Sequence, residues 1–218
     1  MQQLLPYDPL YVVIALLAMS IAPFFALMVT SFVKLSVVLS LVRNALGIQQ
    51  IPPNMVINGL ALVLSVYIMA PVGIDMYTIV SDAARTGGNF ESILKESGRA
   101  REPLRGFLMK HSDKKERIFF AQSAKKLWQN DAAQNLKDKD LVVLIPAFTV
   151  HELAGAFKIG FLIYLPFVII DLIVSNILLA MGMMMVSPMT ISLPFKLLLF
   201  VLVNGWTKLI HALVLSYA

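Results

Sequence analysis

Long runs of apolar residues occupy both ends of this chain, and charged residues are concentrated between them. Of the 31 charged residues, 23 lie between Asp75 and Asp140, and the other eight are scattered through the apolar parts. The pattern predicts three parts: N-terminal hydrophobic helices over 1–74, a polar helical domain over 75–140, and C-terminal hydrophobic helices over 141–218.

The first apolar run is longer than a simple membrane anchor requires. No charged residue occurs from Pro9 to Val33, which is enough helix to cross a bilayer core of about 30 Å. Helical spacing continues past Lys34 and ends at Gly47, where glycine favours a helix C-cap. Because Pro23 interrupts the run, we expect a kinked, tilted or partly enclosed helix.

Three further hydrophobic elements are predicted. A turn before Asn54 makes this residue the N-cap of a helix over about 55–74. A third helix begins near 141 and is expected to break near Pro166, and a final segment covers about 190–216. Small residues spaced by four predict close helix packing at two pairs of positions: Ser36 with Ser40, and Ala156 with Gly160.

The composition indicates an integral membrane protein. The chain is 58% hydrophobic and only 14% charged, and its mean hydropathy of +0.78 is too high for a soluble domain of this size. The absence of cysteine excludes disulfides, thiolate metal sites and cysteine nucleophiles. The N-terminus has no basic segment or small-residue cleavage pattern, so no cleavable signal peptide is expected.

Short loops decide orientation more reliably than long domains do. The short connection after the first helix carries Arg43 and no acidic residue, which places it in the cytoplasm. With four crossings, the N-terminus, the 75–140 domain and the C-terminus would then face outward.

The polar part is expected to be a small helical insertion. Apolar residues at helical spacing over 91–110 and 113–136 predict an antiparallel pair, preceded by a flexible link at 85–89. Its lysines alternate with acidic residues and lack a base-stacking motif, so they indicate a solvated helix face and no nucleic-acid partner.

No catalytic constellation accompanies this pattern. His111, His151 and His211 lie far apart and show none of the short spacings of a zinc site. Nucleotide-binding loops and nucleophile elbows are missing too, so we expect no enzyme activity, no metal and no cofactor. His151 and Glu152 are adjacent, but neighbouring helical residues point in different directions.

Charges within the apolar helices are the more informative polar feature. An unpaired charge there costs several kcal/mol, so such residues pair with one another or line water. The leading pair is Glu152 with Lys196, whereas Lys158 and Lys208 are expected to snorkel. For Asp171, the alternative to pairing is a role in a proton relay. A small secondary transporter or ion channel using Asp171, Glu152 and Lys158 is the alternative function, although the internal repeat typical of transporters is not visible.

A methionine cluster lies near the end of the third apolar segment. The run Met181-Gly-Met-Met-Met185 precedes a Ser-Pro break, and four of the chain's twelve methionines fall in it. Methionine is unbranched and polarizable, so the cluster makes a deformable apolar surface. It is either core or lipid-facing filler, or a surface that seals around something of variable shape.

Three stretches of the chain resemble the FliP/SctR family of type III secretion export-apparatus subunits. They cover nearly everything outside 75–140. The first is 30–71, with Thr30-Ser-Phe-Val-Lys34 and Gln49-Gln-Ile-Pro-Pro-Asn54, and the second is 144–171, with His151-Glu-Leu153 and Ala156-Phe-Lys-Ile-Gly-Phe161. The third is 181–206, with the methionine run and Ile191-Ser-Leu-Pro-Phe-Lys196.

The resemblance implies an all-α, membrane-associated protein of Pro-broken helical hairpins and a small polar domain, assembling as an oligomeric cone. It further implies a homopentamer around an export pore, in the bacterial inner membrane, with the 75–140 domain in the periplasm. Implied partners are the S and T minor subunits, the export-gate and switch subunits, inner rod or needle proteins, and the exported proteins.

The resemblance also implies roles for particular residues. Met183, Met184 and Met185 match the methionine stretch that closes the pore, with Met181 interpreted as a packing residue. Glu152 and Lys196 match positions expected to form an ionic contact between subunits. Asn204 stands where the family commonly has Asp, which puts any ion pair of that acid in doubt here. The missing signal peptide favours the virulence injectisome branch.

The leading functional hypothesis is therefore a non-enzymatic, pore-forming subunit of a type III export gate. Unfolded substrates would pass through a central channel that the methionines gate.

Overall fold

The described residues, 9–48, 50–85, 98–128 and 134–218, form a bundle of helices in the computed structural model. Eight helices of nine or more residues occur among them: α1 Pro9–Met28, α2 Phe32–Ala45, α3 Asn54–Arg85, α4 Glu102–Lys110, α5 Lys114–Leu127, α6 Leu141–Ala180, α7 Pro188–Leu202 and α8 Gly205–Leu215. The described part contains no strand. The all-α prediction is confirmed.

The first apolar run breaks after Met28 and not at Pro23, which lies inside α1. α1 and α2 meet at an angle of 64°. Polar side chains form hydrogen bonds at this break. The Thr30 hydroxyl donates to the carbonyl of Leu27 at 3.3 Å, and the fully buried Ser31 hydroxyl donates to Ser65 on α3 at 3.2 Å. A helix can absorb a proline when neighbours satisfy the freed backbone groups, so the Thr-Ser pair is the stronger breaking signal here.

The turn between α2 and α3 confirms one predicted cap and corrects the other. α2 ends as expected, with Gly47 at a φ of +74° that favours glycine. Asn54, however, is the first residue of α3 rather than its N-cap, because the carbonyl of Pro53 accepts from the amides of the first turn at 2.9 and 3.2 Å. Its side chain instead accepts from Arg43 Nη1 at 2.5 Å. α3 then continues to Arg85, past the predicted end near 74.

The predicted break near Pro166 is wrong. α6 runs for 40 residues from Leu141 to Ala180 and includes both Pro146 and Pro166. At 1.5 Å per residue it is about 60 Å long. Each proline removes one amide donor, and the helix continues because the remaining backbone hydrogen bonds on either side are kept.

The main core lies where α2 packs against α6. Leu35, Val38, Leu39 and Val42 of α2 are completely buried there. The two helices approach so closely that a Cβ on Gly160 would lie 2.3 Å from Leu41 Cδ1. Close packing through the predicted small residues is therefore confirmed at Gly160, and neighbouring Ala156 is fully buried as well.

The helices of the polar part pack on the first turns of α6. Leu108 of α4 forms a second core with Leu144 and Phe148 of α6. The Asp113 side chain caps α5 by accepting from the amide of Lys115 at 2.9 Å. The predicted link at 86–89 and the predicted helix positions 91–97 lie outside the described residues.

Two of the helices have the length and apolar composition of a membrane span, Asn54–Asp82 and Leu141–Ala180. If each bent pair is taken as one span, α1 with α2 and α7 with α8, the described residues supply up to four. Much of the surface of these helices is exposed and apolar. This is the composition of a membrane-associated hairpin protein.

Candidate functional site

The methionines occupy the turn that joins α6 to α7. α6 ends in a Schellman motif, in which the Met183 amide donates to the carbonyl of Leu178 at 2.9 Å and the Gly182 amide donates to Leu179 at 3.0 Å. Gly182 takes a φ of +73°, which L side chains rarely adopt. Ser187 and Pro188 then start α7 at once. The turn is therefore short and has a defined backbone.

The methionine side chains point away from this turn. The exposed fractions are 41% for Met183, 82% for Met184 and 101% for Met185. Met181, interpreted from the sequence as a packing residue, is 66% exposed within the chain. The cluster is therefore an apolar projection and not core filler of this chain.

Behind the methionine turn, an ion pair joins the two arms of the α6–α7 hairpin. Lys196 Nζ lies 2.6 Å from Asp171 Oδ2, and the Ser192 hydroxyl donates to Asp171 Oδ1 at 2.5 Å. The Lys196 side chain is only 3% exposed, whereas that of Asp171 is 35% exposed. Lys196 Nζ also lies 3.8 Å from where a Cβ on Gly47 would be. It therefore sits at the C-terminal end of α2, where the helix dipole favours a cation.

A second cluster surrounds Glu152, at the other side of the α2–α6 core. Lys34 Nζ lies 3.6 Å from Glu152 Oε1, and the hydroxyl of Tyr217 donates to Glu152 Oε2. Lys34 Nζ also lies 4.7 Å from the centre of the Tyr217 ring, in cation–π geometry. Glu152 is only 2% exposed. The acid, the base and the phenol together connect α6, α2 and the C-terminal residues.

Aromatic residues from the polar part close this second cluster. Phe107 stacks on Tyr217 with ring centres 6.2 Å apart, and His111 packs against Tyr217 at 5.1 Å. Burial and, to a smaller extent, the charges of Lys110, Lys34 and His151 lower the pKa of His111 from 6.5 to about 4. Burial, together with the charge and hydrogen bond of Glu152, raises the pKa of Tyr217 above its ordinary value.

Within the chain, the structure does not bring the predicted pair Glu152 and Lys196 together. Each is buried against another partner, Glu152 against Lys34 and Tyr217, and Lys196 against Asp171. Lys34 of α2 lies closer to Glu152 than Lys196 of α7 does. The contact of Glu152 with Lys196 between subunits stays a prediction.

The three residues of the alternative transporter hypothesis do not form one site either. Glu152, Lys158 and Asp171 lie on the same helix, about 9 Å and 20 Å apart along its axis at 1.5 Å per residue. Lys158 and Lys208 are exposed. Neither forms an ion pair in the part of the chain that the structure describes.

Sequence reasoning missed Lys34 and Tyr217 as members of a cluster. Lys34 carried a signal, because it is the only charged residue between Pro9 and Leu41. A lone cation in an apolar helix favours a nearby acidic partner. Tyr217 is the penultimate residue and carried no comparable signal.

Asn204 has a backbone role. It takes the left-handed conformation, with φ 53° and ψ 47°, between α7 and α8. Asn and Asp tolerate this region better than other side chains with a Cβ. The two helices diverge by 58° there, and a Cβ on Gly205 would lie 2.3 Å from the ring of Phe200. Asn204 therefore suits the bend through its backbone conformation and does not require an ion pair.

Comparisons with known proteins agree with the motif stretches. The FliP family model matches residues 15–213. The Yop proteins translocation protein R of Yersinia pestis is 55% identical over 210 residues, which cover 96% of this chain and 97% of that protein.

Two other relatives cover this chain almost completely. The virulence protein YscR of Salmonella typhimurium is 50% identical over 98% of this chain and 99% of its own. The hypersensitivity response secretion protein HrcR of Ralstonia nicotianae is 48% identical over 94% of this chain and 95% of its own. The chain therefore belongs to the FliP family of type III secretion export-apparatus proteins.

Proposed function

We propose that this protein is a pore-forming structural subunit of the type III secretion export gate, which passes unfolded proteins through a channel closed by methionines. Family membership supports a place in the export apparatus. The relatives' names, translocation protein and secretion protein, support protein transport as the process. The finer claim, that methionines close the channel, rests on the geometry of one turn.

The observation that carries the proposal is the exposure of Met183, Met184 and Met185 on a short, hydrogen-bonded turn. Three large apolar side chains in water are unfavourable, at about 25 cal/mol for each Å² exposed. Copies of the chain arranged around an axis would cover them against one another. The turn would then form a ring of thioether side chains at the narrowest point of the channel.

Methionine suits a seal that must also open. Its unbranched side chain changes rotamer easily and packs against surfaces of many shapes. A closed ring excludes water and ions because its centre is apolar. When a polypeptide enters, the same side chains repack around it, so the seal adapts to each passing segment. This step breaks no covalent bond.

The ion pair between α6 and α7 holds together the hairpin that carries the methionine turn. Lys196 and Asp171 link α7 to α6, and Ser192 adds a hydrogen bond to the same carboxylate. Flexible side chains are thus carried by a hairpin whose arms cannot slide independently. Movement is confined to the methionines.

The remaining features of the proposal concern assembly. The exposed apolar helices suit a homo-oligomer, which we take as a pentamer, packed with the S and T minor subunits. Export-gate and switch subunits, inner rod or needle proteins and exported proteins are the further partners. The assembly lies in the bacterial inner membrane, with the 75–140 domain on the periplasmic side. In the assembled ring, Glu152 would contact Lys196 of a neighbouring subunit, which requires each residue to exchange its partner within the chain, Lys34 or Asp171.

A single introduced cysteine tests the ring, since the chain contains no cysteine of its own. Met184→Cys places a thiol at an 82% exposed position of the turn, and Met55→Cys, at an 86% exposed position of α3, is the matched control. Under mild oxidation in secreting cells, Met184→Cys is expected to cross-link subunits and stop secretion until a reductant is added. Met55→Cys is expected to leave secretion unchanged. Disulfide-linked pairs of subunits at position 184 with undiminished secretion would contradict the proposal.

A further inference from the structure

An apolar groove lies between α6 and the α7–α8 bend. It has a volume of about 570 Å³ and runs along α6 from Ile159 to Phe167. Phe200 of α7 and Leu209 and Ala212 of α8 form the opposite wall. A volume of this size is within the range of roughly 300–1,000 Å³ that small-ligand sites occupy.

A single cation stands at this groove. Lys208 is the only charged residue that lines it, and every other lining residue is apolar or glycine. Its side chain is exposed and has no acidic partner within the described residues. A cation beside an apolar surface in a membrane protein favours an anionic group on whatever occupies that surface.

We propose that this groove binds an anionic phospholipid, with its acyl chain in the apolar groove between α6 and α8 and its phosphate against Lys208. An apolar lining explains the tail, and the lone cation explains the charge of the headgroup. Through this contact the lipid stabilises the α7–α8 bend. The groove does not include the methionine turn, so lipid binding can be tested independently of the proposed pore.

Lipid binding to the full-length chain tests the proposal. Phosphatidylglycerol and phosphatidylcholine with identical acyl chains are titrated into the detergent-solubilised protein, and bound lipid is counted by native mass spectrometry. The wild-type chain is expected to prefer phosphatidylglycerol. Lys208→Gln should weaken phosphatidylglycerol binding by about fivefold, the effect of one lysine near an anionic headgroup, and abolish the preference. Lys158→Gln, at an equally unpaired and exposed lysine outside the groove, should bind as wild type does.

Ala212→Phe fills the groove and is expected to weaken binding of both lipids. If that variant is misfolded, Lys208→Gln still decides, because an exposed lysine can be changed without disturbing the core. Equal binding of phosphatidylglycerol by wild type and Lys208→Gln would overturn the proposal. So would a photoreactive group, attached to a cysteine at position 212 in the assembled apparatus, that labels only polypeptide and no phospholipid.

Discussion

The cluster around Glu152 makes a quantitative prediction about which cation this acid pairs with. In the chain, Glu152 lies 3.6 Å from Lys34, while Lys196 is held by Asp171. Two double-mutant cycles separate the alternatives. One combines Lys34→Gln with Glu152→Gln, and the other combines Lys196→Gln with Glu152→Gln.

The structure sets the expected size of each coupling energy. At 3.6 Å and an effective dielectric constant of 20, the attraction between Lys34 and Glu152 is about 5 kcal/mol. Desolvation of both ions offsets part of it, since the two side chains are only 12% and 2% exposed. We therefore expect a coupling of about 1–3 kcal/mol for Lys34 with Glu152. For Lys196 with Glu152 in the isolated chain, it should stay below about 0.5 kcal/mol.

The free energy of unfolding measures both cycles. The full-length chain in mild detergent is unfolded by titration with a denaturing detergent, with Lys158→Gln as the control for loss of an exposed lysine. Glu152→Gln alone should destabilise the chain by about 3–5 kcal/mol, because it leaves a buried cation unpaired. Repeating the cycles in the assembled complex asks whether Glu152 also meets Lys196 of a neighbour.

A coupling near zero between Lys34 and Glu152 in the isolated chain would refute the pairing described above. A coupling between Glu152 and Lys196 that appears only in the assembly would instead support the contact between subunits. If that coupling is absent in both states, the predicted intersubunit pair is wrong.

Three further predictions concern single positions. The pKa of His111 is about 4 in the folded chain and about 6.5 in the unfolded chain. The unfolded chain therefore binds more protons between these values, and stability should fall as pH decreases from about 6.5 towards 4. Thermal melting at several pH values checks this, and His111→Gln should show a shallower loss of stability. Gly160→Val should destabilise the protein by at least about 1–3 kcal/mol, since even a Cβ there meets Leu41. Gly59→Ala is the contrasting change, because a Cβ added to this helical glycine has no other atom within 4 Å. It should stabilise the protein by about 0.5–1 kcal/mol in the same melting assay. Asn204→Gly should be nearly neutral because φ is 53° there, while Asn204→Val should cost about 1–2 kcal/mol or more; equal melting temperatures for the two variants would contradict the backbone role.

Local patterns in the sequence predicted most helical segments and several of their ends, but not the bend between α7 and α8 or the break after Met28. The apolar periodicity of α2 and the glycine after it were sufficient, because a C-cap depends only on neighbouring residues. The methionine cluster was also visible in the sequence. Its exposure was not, because methionines at that spacing suit a core as well as a surface.

Proline breaks and charge pairs could not be predicted in the same way. Pro23 and Pro166 lie inside continuous helices, since a proline removes a single backbone hydrogen bond and a long apolar helix keeps the others. The partner of Glu152 is far away in the sequence, on α2, and only the α2–α6 packing brings Lys34 to it. Charges in apolar segments therefore indicate that a pair exists without identifying its members.

Ion conductance through the assembled complex tests the central claim most directly. The triple change of Met183, Met184 and Met185 to alanine removes the apolar projection while keeping the Gly182 turn, and Met55→Ala removes an equally exposed methionine elsewhere. If the methionines close the channel, the triple variant should leak ions across the membrane while wild type and Met55→Ala remain tight. A fully assembled triple variant that stays as tight as wild type and secretes normally would contradict the account.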